Sequence, residues 1–294
     1  MLKKVKKYAS RIAYWCVPQG IEAVFIDMLR LGYILTKYRT SLLAKPYLSE
    51  NRKFKNIHNG QRCFILGNGP SILKEDLTPL KDEICFSVSN YYKHPSYSII
   101  QPCYHCVPNI APSLTESDVV SWFTEMHKKT LNATVFLGFR QKAVVHQHKL
   151  FPGRNVNYLL MEAMRPVEGR RVRELSGNLI NPQSVSIMCL ILSLFMGFKK
   201  IYLLGIDHDH LRTGRYDYFY DRKEMIFKDP SVTSDGKLAV PLIDDFKATF
   251  KLWQQYILIN EVAKKKGAEI INLSQGSYLD VFRFDHLSNV LGKT

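Results

Sequence analysis

The feature that most constrains this chain is an apolar run cut off by glycines. Arg62-Cys63-Phe64-Ile65-Leu66 stops at Gly67-Asn68-Gly69-Pro70-Ser71, a stretch carrying Ile72, Leu73 and Leu77 reads as a helix, and a second run follows at Ile84-Cys85-Phe86-Ser87-Val88. Strand, glycine turn, helix, strand is the pattern of a βαβ unit. It recurs downstream. Asn181-Pro182 opens a helix over Val185 to Met196 that ends at Gly197, and the run Ile201-Tyr202-Leu203-Leu204 breaks at Gly205-Ile206-Asp207. A third helix from Asp244 to Lys266 stops at Gly267, before Glu269-Ile270-Ile271-Asn272-Leu273. Proline is tolerated in a first helical turn and glycine suits a helix end. Short Val/Ile/Leu/Phe-rich runs alternating with helices predict an α/β fold, Rossmann-like, with a mostly parallel sheet and helices on both faces. Val135 to Gly138 and Val156 to Leu160 read as further strands, while Arg212 to Pro241 has no period and reads as a long functional loop.

Residues 1–58 read differently, as a basic amphipathic helical extension to a main domain over 59–294. Lys3, Lys4, Lys6 and Lys7 precede Ile12, Trp15, Cys16, Val24, Phe25, Met28, Leu29 and Leu35 at helical spacing. That pattern suits an interfacial helix on anionic lipid, or equally a helical hairpin packed on the main domain. The sequence contains neither an unbroken apolar run of about 18 residues nor a secretory h-region, so the expected location is the cytoplasm, with peripheral contact at the inner face of the membrane. With 46% hydrophobic and 23% charged residues the composition is globular, which excludes a disordered or coiled-coil chain. Lys and Arg total 41 against 26 Asp and Glu, and the net charge of +15 calls for an anionic partner. Nucleic acid is not expected, because no zinc finger, helix-turn-helix pair or RNP-type strand accompanies the charge. The six cysteines are irregularly spaced, with Cys103-Tyr104-His105-Cys106 the one C-x-x-C pair. Reduced thiols, with no disulfide framework and no metal, are the expectation.

In open α/β sheets ligands bind beyond the C-terminal strand ends, where the strand order reverses. The candidate site residues therefore come from Gly67 to Ser71, from Ser89-Asn90, from Gly205 to His210 and from the loop after Leu273. Gly67 and Gly69 let the backbone approach a ligand closely, and a helix starting at Ser71 would offer free N–H groups to a phosphate. The turn is not a dinucleotide fingerprint, since Ile72 occupies the third glycine position, and no phosphate-loop motif is present. Asp207-His208-Asp209-His210 places imidazole and carboxylate side by side, which fits a general base, a metal site or a plain polar loop. Arg165, Arg170, Arg171 and Arg173 form a solvated basic face or a contact for an anionic acceptor.

The run Phe64 to Ser71, then Ser89-Asn90, then Gly197 to Asp207, resembles the bacterial sialyltransferases of glycosyltransferase family 42. It is similar also to a wider group of surface-polysaccharide proteins and motility accessory factors sharing a core with 6-hydroxymethylpterin diphosphokinase-like enzymes. Ile271 to Phe282 resembles that wider group as well. The resemblance covers roughly residues 60–110 and 178–285. It implies transfer of a sialic-acid-like sugar from a CMP-linked or other nucleotide-sugar donor to a glycan or lipid-linked glycan acceptor, with no obligatory cofactor. It implies donor contacts from Asn68, Asn90 and a serine, Ser184 or alternatively Ser186. Leaving-phosphate contacts would come from two of Tyr216, Tyr218 and Tyr220. The family's catalytic histidine just before the late helix has no counterpart, because Lys237 to Asp245 contains none. His208, His210, Asp207 and Asp209 are the remaining candidates for the base. The alternative is a diphosphokinase-like phosphotransferase using ATP, with Mg²⁺ on Asp207 or Asp209.

Overall fold

The computed structural model describes residues 21–110, 114–163, 174–221, 232–233 and 235–292. It divides into two compact units, Met1–Lys45 and Pro46–Thr294. Helix α1 (Ile21–Ser49) contains Pro46, which has no N–H to donate and crowds the carbonyl four residues back. Along α1, Met28, Leu31, Leu35, Tyr38 and Leu42 are exposed at alternating three- and four-residue spacing. The described part of the extension is helical from Ile21 as expected, whereas Lys3, Lys4, Lys6, Lys7 and Trp15 lie outside the described residues, as do Arg165, Arg170, Arg171 and Arg173. No described helix is long and apolar enough to cross a membrane.

The second unit is built on an eight-stranded sheet ordered β10-β9-β8-β1-β2-β3-β4-β5. Its strands are β1 (Arg62–Leu66), β2 (Cys85–Val88), β3 (Tyr104–Val107), β4 (Thr134–Gly138), β5 (Val156–Leu159), β8 (Lys200–Leu204), β9 (Glu269–Asn272) and β10 (Arg283–Phe284). Every pairing in it is parallel. Two short strands, β6 (Met161–Ala163) and β7 (Leu179–Ile180), pair separately. Successive side chains leave a strand on opposite faces. Cys63, Ile65, Ile201 and Leu203 therefore enter one core layer, with α3 (Val185–Met196) and α4 (Leu242–Lys265). Phe64, Leu66, Tyr202 and Leu204 enter the other, with α2 (Glu116–Lys129). Helix α3 is buried from Ser186 to Met196, which fits its apolar composition all round.

The six strands and two later helices expected from sequence are present within two residues of their expected ends. One expectation needs correction. The stretch with Ile72, Leu73 and Leu77 is not one helix but two 3₁₀ turns, Pro70–Lys74 and Thr78–Asp82. Glu75 turns extended, with φ −106° and ψ 138°, and the Asp76 carboxylate accepts from the Thr78 N–H at 2.9 Å, which diverts the chain. The C-x-x-C pair lies at β3, where Cys106 is buried and Cys103 exposed, both as free thiols.

Candidate active site

The strand order reverses between β1 and β8, and the glycine turn lies there. Gly67 N–H donates to the Leu204 carbonyl at 2.7 Å and Gly69 N–H to the Gly205 carbonyl at 2.8 Å. The approach is so close that a Cβ on Gly67 would stand 2.3 Å from the Gly205 carbonyl oxygen. A Cβ on Gly69 would stand 2.5 Å from the Asp207 carboxyl carbon. That carboxylate accepts from the Ser71 N–H at 2.9 Å and from the Ser71 hydroxyl, and both residues are buried. Burial lifts the Asp207 carboxyl above its ordinary value, and the two bonds from Ser71 oppose that rise. From the far side, the Ser274 hydroxyl accepts from Ile206 N–H at 2.9 Å, the Ser277 hydroxyl donates to the Ile206 carbonyl at 2.7 Å, and Tyr278 N–H donates to the Asp207 carbonyl at 2.9 Å. The glycine turn, Gly205-Ile206-Asp207 and the Asn272 to Tyr278 segment are therefore one interlocked unit.

This lock changes the reading of the turn as a phosphate cradle. The amides of Gly67, Gly69, Ser71 and Ile72 are all engaged within the protein. What the turn offers a ligand is Asn68, whose side-chain oxygen is buried with no partner among the described residues. Ser71 faces Asp207 and does not line the cavity.

A cavity of about 500 Å³ opens over these strand ends. Of the sequence candidates, Gly67, Asn68, Gly69, Asn90, Ser184, Asp207, His208, His210, Tyr216 and Tyr218 line it, together with Tyr220. Asn68 lies two residues beyond β1, Asn90 two beyond β2, and Asn109 two beyond β3. Asn109 also lines the cavity, and its side-chain oxygen is buried without a partner among the described residues. Gly138 makes room for it, since a Cβ there would stand 2.2 Å from that oxygen. Sequence reading missed Asn109 because β3, whose end it follows, was itself not recognised. The loop after β8 is pinned to the turn by Phe219 N–H donating to the Asn68 carbonyl at 2.9 Å. Within that loop the Tyr218 and Tyr220 rings stack at 5.4 Å, and Asn90 donates to the Tyr220 hydroxyl at 3.3 Å.

Two residues apart, the histidines have different surroundings. His210 is buried, with its ring stacked on Tyr216 at 4.2 Å and its Nε2 3.1 Å from the Thr249 hydroxyl and 3.8 Å from Asp245. Tyr216 donates to the same Asp245 oxygen at 3.1 Å. His210 Nδ1 and the second Asp245 oxygen are buried without partners among the described residues. Burial lowers the His210 pKa, and Asp245 and Asp209 oppose this. His208 adopts a left-handed backbone, φ 49°, and its ring packs on Trp253 and Tyr256. Its Nε2 pairs with the Tyr256 hydroxyl at 2.7 Å, while Nδ1 has no protein partner among the described residues. Burial, helped by repulsion from His210, pushes the imidazole down to about 3, so His208 is neutral at ordinary pH. Thr249, Asp245 and Tyr256 all come from α4, which sequence reading did not connect to the site.

No protein-family model and no curated protein matches this chain. Among solved structures it is similar to the MAf glycosyltransferase from Magnetospirillum magneticum AMB-1, at 15% identity and a TM-score of 0.45. The similarity covers 82% of this chain and 38% of that one.

Proposed function

We propose that this chain is a glycosyltransferase that moves a sugar from a nucleotide-activated donor, by preference CMP-linked and sialic-acid-like, to a glycan acceptor of surface-polysaccharide synthesis. One observation carries the reading. Asn68, Asn90 and Asn109, each two residues past one of three adjacent parallel strands, share with Ser184 a single cavity at the reversal of strand order. Amide side chains both donate and accept, which suits a ligand with sugar hydroxyls and a heterocyclic base. The unpartnered oxygens of Asn68 and Asn109 are acceptors waiting for donors. The resemblance of the glycine turn, the second-strand asparagine and the Gly205-Ile206-Asp207 segment to family 42 supports the same class of donor.

In this reading the bond between the anomeric carbon and the donor phosphate oxygen breaks, with its electron pair going to the phosphate. The acceptor oxygen bonds to the anomeric carbon and its proton passes to His208 Nδ1. His208 is favoured over its neighbours because both Asp207 oxygens are held by Ser71, while the ring nitrogens of His210 are sealed by Thr249 and by burial. A bound phosphate would raise the proton affinity of a nearby imidazole. The hydroxyls of Tyr218 and Tyr220, which line the cavity, would donate to the leaving phosphate. The reaction so written needs no metal. Residues 1–45 would hold the enzyme at an anionic membrane surface beside a lipid-linked acceptor, each basic residue contributing about 1 kcal/mol there. Their deletion should reduce sedimentation with anionic liposomes and spare donor turnover.

A thermal-shift series with CMP, CDP, UDP, GDP and ATP, with and without Mg²⁺, tests the reading. A ligand that binds only the folded state raises the melting temperature by mass action. Stabilisation by CMP alone is expected. A response restricted to UDP or GDP would remove the CMP preference, and one restricted to ATP with Mg²⁺ would replace the transferase with a phosphotransferase.

A further inference from the structure

A run of hydroxyls lies behind the cavity wall. The Ser184 hydroxyl, at the start of α3, pairs with the Ser186 hydroxyl at 2.8 Å. Ser186 pairs with the Tyr256 hydroxyl at 2.5 Å, and Tyr256 with His208 Nε2 at 2.7 Å. Ser186 and Tyr256 are fully buried. Ser184 and His208, the two ends, both line the cavity. The three hydroxyls and the imidazole thus form one continuous hydrogen-bonded chain that leaves the cavity wall at one point and returns at another.

Proton order in such a chain has two consistent directions. In the first, His208 Nε2–H donates to Tyr256, Tyr256 to Ser186 and Ser186 to Ser184; Ser184 donates into the cavity, and His208 Nδ1 is a bare acceptor. In the second, every donor is reversed; Ser184 accepts from the cavity, and His208 carries its proton on Nδ1. Each hydroxyl keeps one proton in both states. The imidazole gives up one proton and takes one back at its other nitrogen, by exchange with water in the cavity. Burial pushes the Tyr256 phenol up, so it serves as a neutral hydroxyl in either direction.

We propose that Tyr256 and Ser186 are positioning residues that tie the tautomer of His208 to what Ser184 binds. A ligand group that only accepts hydrogen bonds at Ser184, such as a phosphate or carboxylate oxygen, selects the state in which Nδ1 is ready to take a proton. A ligand hydroxyl donating to Ser184 selects the state in which it is not. The catalytic consequence rests on the transferase reading: an anionic donor prepares its own base, and an empty site does not hold it prepared. The coupling itself does not depend on that reading.

The test uses the full chain without ligand, labelled with ¹⁵N-histidine, with His208 assigned by its loss in His208→Gln. Long-range proton–nitrogen spectra distinguish the protonated from the bare ring nitrogen and give the tautomer ratio. Ser184→Ala should change that ratio by about twofold or more, the lower end of couplings within one hydrogen-bonded network. In a Ser186→Ala background the same substitution should leave it unchanged. Tyr256→Phe, which keeps the ring volume, should abolish the response and set a new ratio. A ratio indifferent to Ser184→Ala, or changed equally with and without Ser186, overturns the proposal, as does a Tyr256→Phe ratio equal to that of the parent. Should the serine variants fail to fold, Tyr256→Phe and Ser184→Thr carry the test, the latter expected to keep the parent ratio. In turnover assays Tyr256→Phe should lower kcat about tenfold with donor KM unchanged, the loss expected from a misset general base. Failure of the transferase reading would remove this kinetic arm alone and leave the tautomer result standing.

Discussion

The two sides of the cavity are held by different means. On the β1 and β8 side, most clamps use the main chain, Gly67 to Leu204, Gly69 to Gly205, Ser71 N–H to Asp207, Ser274 and Ser277 to Ile206, with the Ser71 hydroxyl adding a bond to the Asp207 carboxylate. On the α3 and α4 side, polar side chains meet other side chains: Ser186, Tyr256, His208, and separately His210, Thr249 and Asp245. The first side tolerates no added atom, because its spacing is set by two backbones in contact. The second tolerates rotation of hydroxyls and exchange of protons. Shape is thus fixed where the strands end, and in the proposed reaction the proton transfer falls on the side lined by α3 and α4.

The sharpest way to break this comparison is at the histidines. His208→Gln should lower turnover by about a hundredfold to ten-thousandfold with donor binding little changed, the usual loss on removing a general base. His210→Gln should act through folding, because its ring is stacked and sealed, and turnover per folded molecule should stay within about tenfold of the parent. Steady-state kinetics alongside urea denaturation separates the two. Equal kinetic losses from both would put the base on the His210 and Asp245 side.

Next in size is Gly67→Ala. The new Cβ would meet the Gly205 carbonyl, which belongs to a strand end and cannot rotate away. Overpacking of this kind costs about 3 kcal/mol or more, so the urea midpoint should fall steeply or the variant should be insoluble. Asp207→Asn is milder. An amide keeps one acceptor for Ser71 but turns a donor toward the other Ser71 donor, at a cost of about 1–3 kcal/mol. Turnover per folded molecule should change only a few-fold. A loss there of a hundredfold or more would show Asp207 to be the base and the locked side to be reactive.

The same division explains what was legible in sequence. β1, β2, β8 and β9 could be read because a parallel sheet buried on both faces demands unbroken apolar runs, and Gly67 and Gly205 end two of them. The helix misread over Ile72 to Leu77 failed on a local detail, Glu75 turning extended and Asp76 diverting the chain. β3 was hidden because Tyr104, His105 and Cys106 look polar in sequence, although all three are buried, His105 pairing with Ser87 at 2.8 Å. In the site, residues at strand ends were found because the rule that places ligands there is positional. The residues of α4 were not, because Asp245, Thr249 and Tyr256 reach the cavity from a helix whose apolar period marks only its packed face. No local pattern joins Ser184, Tyr256 and His208.

The smallest effect expected is in the pH dependence of stability, and it bears on the reactive side and the core together. Burial lowers the pKa of His94, His105, His208 and His210, with His105 and His208 held down to about 3. In the unfolded chain each titrates near the ordinary value of about 6.5. Between pH 6.5 and 3 the unfolded state therefore binds protons that the folded state refuses, and stability must fall as the pH falls through that window. His105 and His208 each contribute at most about 1.4 kcal/mol per pH unit, and about 1 kcal/mol between pH 6.5 and 5.5. His105, within β3 and distant in role from the cavity, isolates one of these contributions. His105→Gln should lower stability at pH 7 by removing the bond to Ser87, yet flatten the decline between pH 6.5 and 4 by one proton. His208→Gln should flatten it by the same amount while also abolishing turnover. If His105→Gln leaves the slope as it was, His105 is protonated in the folded state. If His208→Gln alone leaves it so, the imidazole at the cavity is charged before any ligand arrives, and the hydroxyl chain behind it cannot be choosing between two neutral tautomers.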